Sequence, residues 1–241
     1  MSEISGLRPL TARSAVLSTL LGAHPPRLPA RSLVRVGELF DIAEGTIRVA
    51  LSRMVAAGDL RLVDGDYELT ERLGQRQTRQ DQSRSPATRP WAGDWEIAVV
   101  TADRRPPAER TAFRQTMAEL RLTELREGTW LRPANLDRPL EVDCVTLLGR
   151  PTGDPVALAA TLWDLAAWAD RARLLHGALD DAEGLPESFI LAAAVLRHFV
   201  ADPLLPAELL PADWPGAALR DRYEKFDDNF QSVLRAHLGV S

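Results

Sequence analysis

Small, polar and basic residues lie close together between positions 45 and 53. They are Gly45, Thr46, Arg48, Val49, Ser52 and Arg53. At helical spacing they lie opposite an apolar stripe formed by Ile47, Leu51, Met54 and Val55. Arginine can bond guanine edges, valine can contact a thymine methyl group, and serine can bond a phosphate. The segment is therefore predicted to be a helix that presents one face to a DNA groove.

Two further helices are predicted to position this face. They cover residues 10–21 and 32–40, and the third helix ends at Gly58, where glycine suits the left-handed cap position. A short break separates the second and third helices, as in a helix-turn-helix. Arg31 and Arg35, at the second helix, complete the predicted DNA-binding set.

A hairpin follows the third helix. Asp64-Gly65 favours the two-residue type I′ turn between strands 60–63 and 66–69. Pairing outward from the turn sets Val63 opposite Asp66, Leu62 opposite Tyr67, Arg61 opposite Glu68 and Leu60 opposite Leu69. The apolar members of these pairs are expected to pack on the helices, whereas Arg61 and Glu68 pair on the other face. Three helices and a hairpin predict a winged helix-turn-helix that binds DNA, with a protein-binding module as the alternative. The acidic tip of the wing is expected to repel phosphates.

No catalytic constellation accompanies this segment. The sequence contains no nucleophile elbow, P-loop, dinucleotide fingerprint or HExxH motif. Its four histidines are scattered, and the single cysteine, Cys144, is expected to be a small core residue within a strand. We therefore expect no catalytic residue, no metal site and no cofactor.

Asp103 and the neighbouring Arg104 and Arg105 allow alternatives. Asp103 follows a predicted strand, where a metal-dependent nuclease could carry a carboxylate, but a turn residue ahead of Pro106 is also consistent. The two arginines are either solvated or hold the phosphates of a ligand. A nuclease that uses a winged helix for targeting is the alternative function, and an Asp103→Ala change would separate it from a regulator.

The rest of the chain is predicted to form three segments. A linker or exposed helix extension covers residues 74–90, because this polar stretch offers little apolar surface. Residues 91–175 are predicted to form a ferredoxin-like domain, with strands at 95–101, 129–133 and 142–148 and a helix at 106–121. Residues 176–241 are predicted to form a helical domain. The fold class is thus α+β, with residues 1–73 as the DNA-binding domain.

Composition and charge restrict the classes of function. The 241 residues are 45% hydrophobic, with no run of 18 apolar residues and no apolar signal-peptide core, so we expect a cytoplasmic protein that does not enter a membrane. Residues 1–90 carry 13 arginines and 10 acidic side chains, whereas residues 91–241 have a net charge of −8. Any DNA contact is therefore expected in the N-terminal third.

An effector pocket is expected within residues 91–241, since a head of about 70 residues has little interior to spare. A ligand with phosphates would need arginines there. Arg104 and Arg105 are the preferred pair, because they follow a strand and precede a helix N-terminus. Arg171 and Arg173 are the other cluster.

Several stretches together resemble one family, the PaaX-type transcriptional regulators of phenylacetate degradation. They are GTIRVALSRMVAAGDL with LTERL after the wing, WAGDWEIAVV, and HFVADPLLPAELLPADWPG, and the similarity extends over most of residues 30–220. The resemblance implies a winged helix, a central domain similar to the Cas2 ferredoxin-like fold and a helical C-terminal domain. It also implies a homodimeric repressor that binds an inverted-repeat DNA operator and is released by an aryl-acetyl coenzyme A thioester. The wing is shorter and more acidic than is typical of the family.

Overall fold

The computed structural model describes residues 10–101 and 106–238. In chain order its elements are α1 (Ala12–Gly22), β1 (Arg27–Pro29), α2 (Ala30–Glu38), α3 (Glu44–Ala56), β2 (Leu60–Val63), β3 (Asp66–Leu69), α4 (Glu71–Arg84), β4 (Trp95–Val99), α5 (Pro107–Glu119), β5 (Thr123–Arg126), β6 (Thr129–Pro133), β7 (Val145–Gly149), α6 (Pro155–Leu162), α7 (Leu165–Asp181), α8 (Leu185–Val200) and α9 (Gly216–Leu238). The fold is of the mixed α+β class, as the sequence predicts.

Two compact units can be distinguished by their internal contacts. The first unit combines the described parts of 1–84, 170–201 and 215–241, and the second combines 85–169 and 202–214 as far as they are described. The first unit therefore contains α1 to α4, α8 and α9. The three-domain division made from the sequence stays a prediction.

Helices α1, α2 and α3 pack around a common apolar core in the first unit. Ile47, Leu51 and Met54 of α3 are almost completely buried in it, as the helical spacing predicts. The prediction was wrong for Val55, which is 38% exposed. Val55 lies at the edge of the apolar stripe, next to the side of α3 that faces solvent. Helix α2 begins and ends two residues earlier than predicted.

The hairpin of β2 and β3 has the predicted strands and register. Asp64 and Gly65 have φ angles of 51° and 88°, the positive values that a type I′ turn requires. Leu62 was expected to pack on the helices but is 59% exposed. Burial falls from the base of the hairpin, at Leu60 and Leu69, toward its tip. A third strand that the sequence did not predict, β1, pairs antiparallel with β3, so the strand order is β1-β3-β2.

Much of the segment predicted as a linker or helix extension belongs to helix α4. The helix is polar, yet Gln77 is buried and its side-chain Nε2 donates to the carbonyls of Leu21 and Ala23 at 2.8 and 2.9 Å. Carbonyls at a helix C-terminus lack partners within the helix. Gln77 thus caps the end of α1, and α4 buries a face that its composition alone did not indicate.

A four-stranded sheet with the order β5-β6-β4-β7 forms the second unit, and every neighbouring pair is antiparallel. β5 was not predicted from the sequence. β4 ends two residues earlier than expected, and β7 occupies Val145–Gly149 instead of 142–148. As a result Cys144 precedes β7 and is not within a strand, although it packs against the cluster around Met117. Trp95 is fully buried at the centre of the other cluster of this unit.

Candidate nucleic-acid interface

The outward face of α3 carries the residues that the sequence singles out for DNA. They are Gly45, Thr46, Arg48, Val49, Ser52 and Arg53, and all of them are exposed. These side chains face solvent together because Ile47, Leu51 and Met54, on the opposite side of α3, are buried in the core. The buried residues fix the rotation of the helix about its axis. The structure therefore brings this set together on one helix face. Their contact with DNA stays a prediction.

Arg48 has a partner on its own helix. Its Nε donates to Oε1 of Glu44 at 2.7 Å, and both side chains are about 60% exposed. An exposed i,i+4 pair of this kind contributes only about 0.3–0.5 kcal/mol. A phosphate or a guanine edge can therefore replace Glu44 at small cost. Glu44 was not predicted from the sequence, although a carboxylate four residues before an arginine is a recognisable helical pair.

The two arginines predicted at α2 differ in their surroundings. Arg31 is exposed in the first turn of the helix, where the N-terminal dipole favours phosphate. Arg35 instead donates from Nη1 to the carbonyl of Leu238 at 3.0 Å. Nε2 of His237 lies 2.8 Å from the Arg35 carbonyl, so the end of α9 contacts α2 at this residue. The guanidinium group of Arg35 is thus bonded to the end of α9.

The charges of the β2–β3 hairpin are largely compensated within the three-stranded sheet of β1, β3 and β2. Arg27 of β1 donates to the carboxylate of Asp66 at 2.9 Å and to the carbonyl of Val63 at 2.9 Å, and it lies 3.4 Å from Asp64. The hydrogen bond to Asp66 is the main cause that raises the pKa of Arg27. The acidic tip is therefore partly neutralised by a strand that the sequence did not predict.

Arg61 and Glu68 form the predicted cross-strand pair. Nη2 and Nε of Arg61 donate to the two carboxylate oxygens of Glu68 at 2.9 and 3.2 Å. The hydrogen bond lowers the pKa of Glu68 and raises that of Arg61. Both charges on this face of the hairpin are thus satisfied within the protein.

A buried carboxylate ties α3 to the hairpin. Asp59 is 3% exposed, accepts from Nη2 of Arg13 at 2.7 Å, and also pairs with Arg72. Its backbone N–H donates to the carbonyl of Met54 at 2.9 Å. A buried charge is stable only with partners. The two ion pairs of Asp59 therefore hold α1, the α3–β2 connection and α4 in one arrangement. Sequence reasoning missed these pairs, since Arg13 and Arg72 are distant from Asp59 along the chain.

The residues predicted to bind an effector, Arg104 and Arg105, lie outside the described residues, as does Asp103. Of the alternative cluster, Arg173 pairs with Asp170 at 3.1 Å. Across residues 10–101 and 106–238, no three His, Cys, Asp or Glu side chains are grouped so that they could hold a metal ion. No helix in the same ranges is both long enough and apolar enough to cross a membrane.

Comparisons with known proteins identify related sequences. Residues 11–73 match the family described as PaaX-like protein, and residues 163–239 match the PaaX-like protein C-terminal domain. Among solved structures, the uncharacterized protein Rv0674 from Mycobacterium tuberculosis is similar, with 46% sequence identity and a TM-score of 0.82. The match covers 95% of this chain and 99% of that protein. No curated protein matches the sequence.

Proposed function

Since the chain belongs to the PaaX-like protein family, we propose that it is a DNA-binding transcriptional regulator whose α3 reads an operator. Membership of this family supports regulation of transcription and a DNA partner. The exposed face of α3, with Arg48 and Arg53 opposite a buried stripe, is the observation that carries the proposal. In more detail, the proposal is that the protein is a homodimeric repressor and that an acyl-coenzyme A type effector releases it from DNA.

A winged helix-turn-helix is the proposed form of the DNA-binding head. The order α1, α2, α3, β2, β3 supports it, as does the three-residue strand β1 that completes the wing sheet. In this arrangement α3 enters the major groove, while the N-terminus of α2 is directed at the phosphate backbone. Arg31 supplies the phosphate contact at that terminus.

A ferredoxin-like, Cas2-like fold is proposed for the sheet of the second unit. Helix α5 connects β4 to β5, and β6 lies between these two strands in the sheet. This is a split βαβ arrangement, which supports the proposal. The complete ferredoxin-like repeat has a second helix before its last strand. Residues 134–144, which precede β7, contain no helix, so this protein has a shortened form of that repeat.

Self-association is proposed because an inverted repeat requires two heads related by a twofold axis. The edge strand β7 supports this. Val145, Leu147 and Leu148 are exposed on it, with Leu148 at 66%. An exposed apolar edge strand is a typical surface for pairing with a second chain. Two heads would then occupy half-sites about 34 Å apart.

The effector is proposed to bind the two arrangements of the dimer with different affinity. Ordinary coupling of this kind amounts to about 1–3 kcal/mol. An acyl-coenzyme A thioester carries several phosphate charges, for which Arg104 and Arg105 remain the proposed partners. Titration of the full chain and of an Arg104→Ala/Arg105→Ala variant with such thioesters tests this, and equal affinity for both proteins would contradict it.

Selection of DNA from a pool of random duplexes tests the proposed function. The full-length chain should enrich an inverted repeat, and its affinity for that repeat should fall as salt rises, because phosphate binding releases counterions. A pool without enrichment over the input would contradict the proposal. Cleavage of duplex DNA with Mg²⁺ that is lost in Asp103→Ala would instead establish the nuclease alternative.

A further inference from the structure

One acidic side chain lies on the exposed side of α3. Glu44, in the first turn of the helix, is the single Asp or Glu among residues 44–56. Its side chain is 59% exposed, close to the 60% of Arg48. Nonspecific affinity for DNA comes from the attraction between basic groups and phosphates, and a carboxylate on the same surface opposes this attraction. A surface that bound only phosphates would therefore bind DNA better without Glu44.

The contribution of Glu44 to the stability of the helix is small. A carboxylate in the first turn interacts favourably with the helix dipole, and Ala43, which precedes α3, provides no side-chain cap. Ser, Thr, Asp or Asn at the position of Ala43 would stabilise this helix end more. The ion pair of Glu44 with Arg48 is exposed on both sides, and salt screens such a pair. Helix stability alone thus does not account for a carboxylate at this position.

The pair of Glu44 and Arg48 has unused hydrogen-bonding groups. Nε of Arg48 donates to Oε1 of Glu44 at 2.7 Å. Within residues 10–101 and 106–238, neither the Nη groups of Arg48 nor Oε2 of Glu44 has a protein partner. The arginine therefore offers DNA its Nη donors, and the carboxylate offers acceptors that no other side chain of α3 supplies.

The spacing of the two side chains matches neighbouring base pairs. Residues 44 and 48 are about 6 Å apart along a helix axis, whereas successive base pairs are about 3.4 Å apart. In a helix that enters the major groove, the N-terminal residues contact the base edges, and Glu44 is the first residue of α3. A carboxylate and a guanidinium group thus arrive together at two adjacent base pairs.

The base edges in the major groove differ in what they offer to these two groups. Guanine presents the acceptors N7 and O6, which paired donors of arginine match. Cytosine presents a donor, its N4 amino group, which a carboxylate accepts and an arginine does not. Adenine has a donor beside the acceptor N7, and thymine has the acceptor O4, so both place an acceptor near the carboxylate. The pair therefore matches a guanine and a neighbouring cytosine.

We propose that Glu44 is a specificity-determining residue of α3. It accepts a hydrogen bond from the N4 amino group of a cytosine in the base pair next to the guanine that Arg48 bonds, and it weakens binding to DNA that lacks this cytosine. This inference rests on the proposed function, because it requires α3 to enter the major groove. Arg48 then supplies affinity for guanine, and Glu44 supplies discrimination against the wrong neighbour.

A matrix of protein variants and duplexes tests this role. The wild type, Glu44→Ala and Arg48→Ala are titrated with the selected duplex and with every single base-pair substitution of one half-site, and fluorescence anisotropy gives each Kd. In the wild type, replacing the cytosine should raise the Kd by about 5–150-fold. In Glu44→Ala the same replacement should raise it by less than about twofold, because the interacting partner is absent. Arg48→Ala should instead lose the dependence on the neighbouring guanine.

A control and a second variant accompany the matrix. Glu109 is also an exposed carboxylate in the first turn of a helix, α5, so Glu109→Ala should keep the wild-type dependence at every position. Glu44→Ala should bind a scrambled duplex more tightly than the wild type does, whereas Glu109→Ala should not. Should Glu44→Ala fail to fold, Glu44→Gln decides with the same duplexes. Its amide can bond N6 and N7 of adenine, so it should accept adenine in place of the cytosine.

Four results overturn the role of Glu44, and they separate it from the proposed function. An equal loss of affinity on all duplexes means that Glu44 only stabilises the helix. A change confined to the guanine position means that it only orients Arg48. A selected half-site without a cytosine beside that guanine, or a dependence on the cytosine that persists in the Glu44 variant, refutes this inference and leaves the proposed function. A wild type that enriches no duplex refutes both.

Discussion

The exposed face of α3 and the sheet of β1, β3 and β2 both contain arginines, but these arginines have different partners. In the sheet, Arg27 and Arg61 are bonded to carboxylates of the same sheet. On α3, the pair of Arg48 with Glu44 lies within a single helix, and the neighbouring side chains are small, polar or apolar. The comparison indicates that charge count alone does not identify a DNA-binding surface. The candidate DNA-binding surface is the one whose arginines can exchange their protein partners for phosphate or base edges at small cost. Here that surface is the exposed face of α3.

The largest expected effect concerns the inward side of α3. Leu51→Ala should lower the free energy of unfolding by about 2–5 kcal/mol, because Leu51 is 1% exposed and its removal leaves a cavity. Val49→Ala, on the outward side of the same helix, should change it by less than about 0.5 kcal/mol. Urea denaturation of both variants measures the difference. Equal losses would mean that α3 is rotated relative to the core.

The hairpin turn gives the next largest effect. Gly65→Val should cost about 1–3 kcal/mol of stability, because a β-branched residue resists the φ of 88° at this position. An added Cβ at Gly65 or at Gly45 meets no atom within 4 Å, so neither site is limited by space. Gly45→Ala, in α3, is therefore the matched control and should be neutral or stabilising. A thermal melt of Gly65→Val that coincides with the wild type would contradict the type I′ turn.

The β2–β3 hairpin should contribute little to DNA affinity. Arg61→Ala removes a guanidinium that bonds both carboxylate oxygens of Glu68, whereas Arg48 makes a single bond to Glu44. The Kd for the selected duplex should therefore rise by no more than about threefold in Arg61→Ala. Fluorescence anisotropy at fixed salt measures this. A loss of affinity as large as that of an α3 arginine variant would show that the hairpin contacts DNA directly and would remove the distinction between the two regions.

The smallest expected effect is the pH dependence of the stability contributed by the Arg61–Glu68 pair. Because Arg61 lowers the pKa of Glu68 in the folded state, the pair stabilises the protein above the unfolded pKa of about 4.3 and loses this contribution as pH falls through the lower folded value. The melting temperature of the wild type should exceed that of Glu68→Gln at pH 7, and the difference should shrink below about pH 4. A difference that does not depend on pH would contradict an ionic pair.

The parts that sequence predicts well are those fixed by local chemistry. Asp64-Gly65 determines the hairpin register, and helical spacing identifies Ile47, Leu51 and Met54 as core. Strand β1 was missed because it has three residues, ends in Pro29, and pairs with β3, which is distant in sequence. The buried face of α4 was missed because Gln77 bonds carbonyls that become its neighbours only in the fold. A cavity of about 250 Å³ lies among α1, α4, α8 and α9, and no local pattern could indicate it because these helices are distant in sequence.

Sequence-specific binding by α3 is the central claim, and one affinity measurement tests it most directly. The wild type, Arg48→Ala and Arg53→Ala are each titrated with the selected duplex and with a scrambled duplex of equal length. Arg126→Ala, an exposed arginine of β5, is the control for loss of one charge. We predict that each α3 variant loses about 1–3 kcal/mol on the selected duplex and much less on the scrambled one. Unchanged affinity for the selected duplex in both α3 variants would contradict the account.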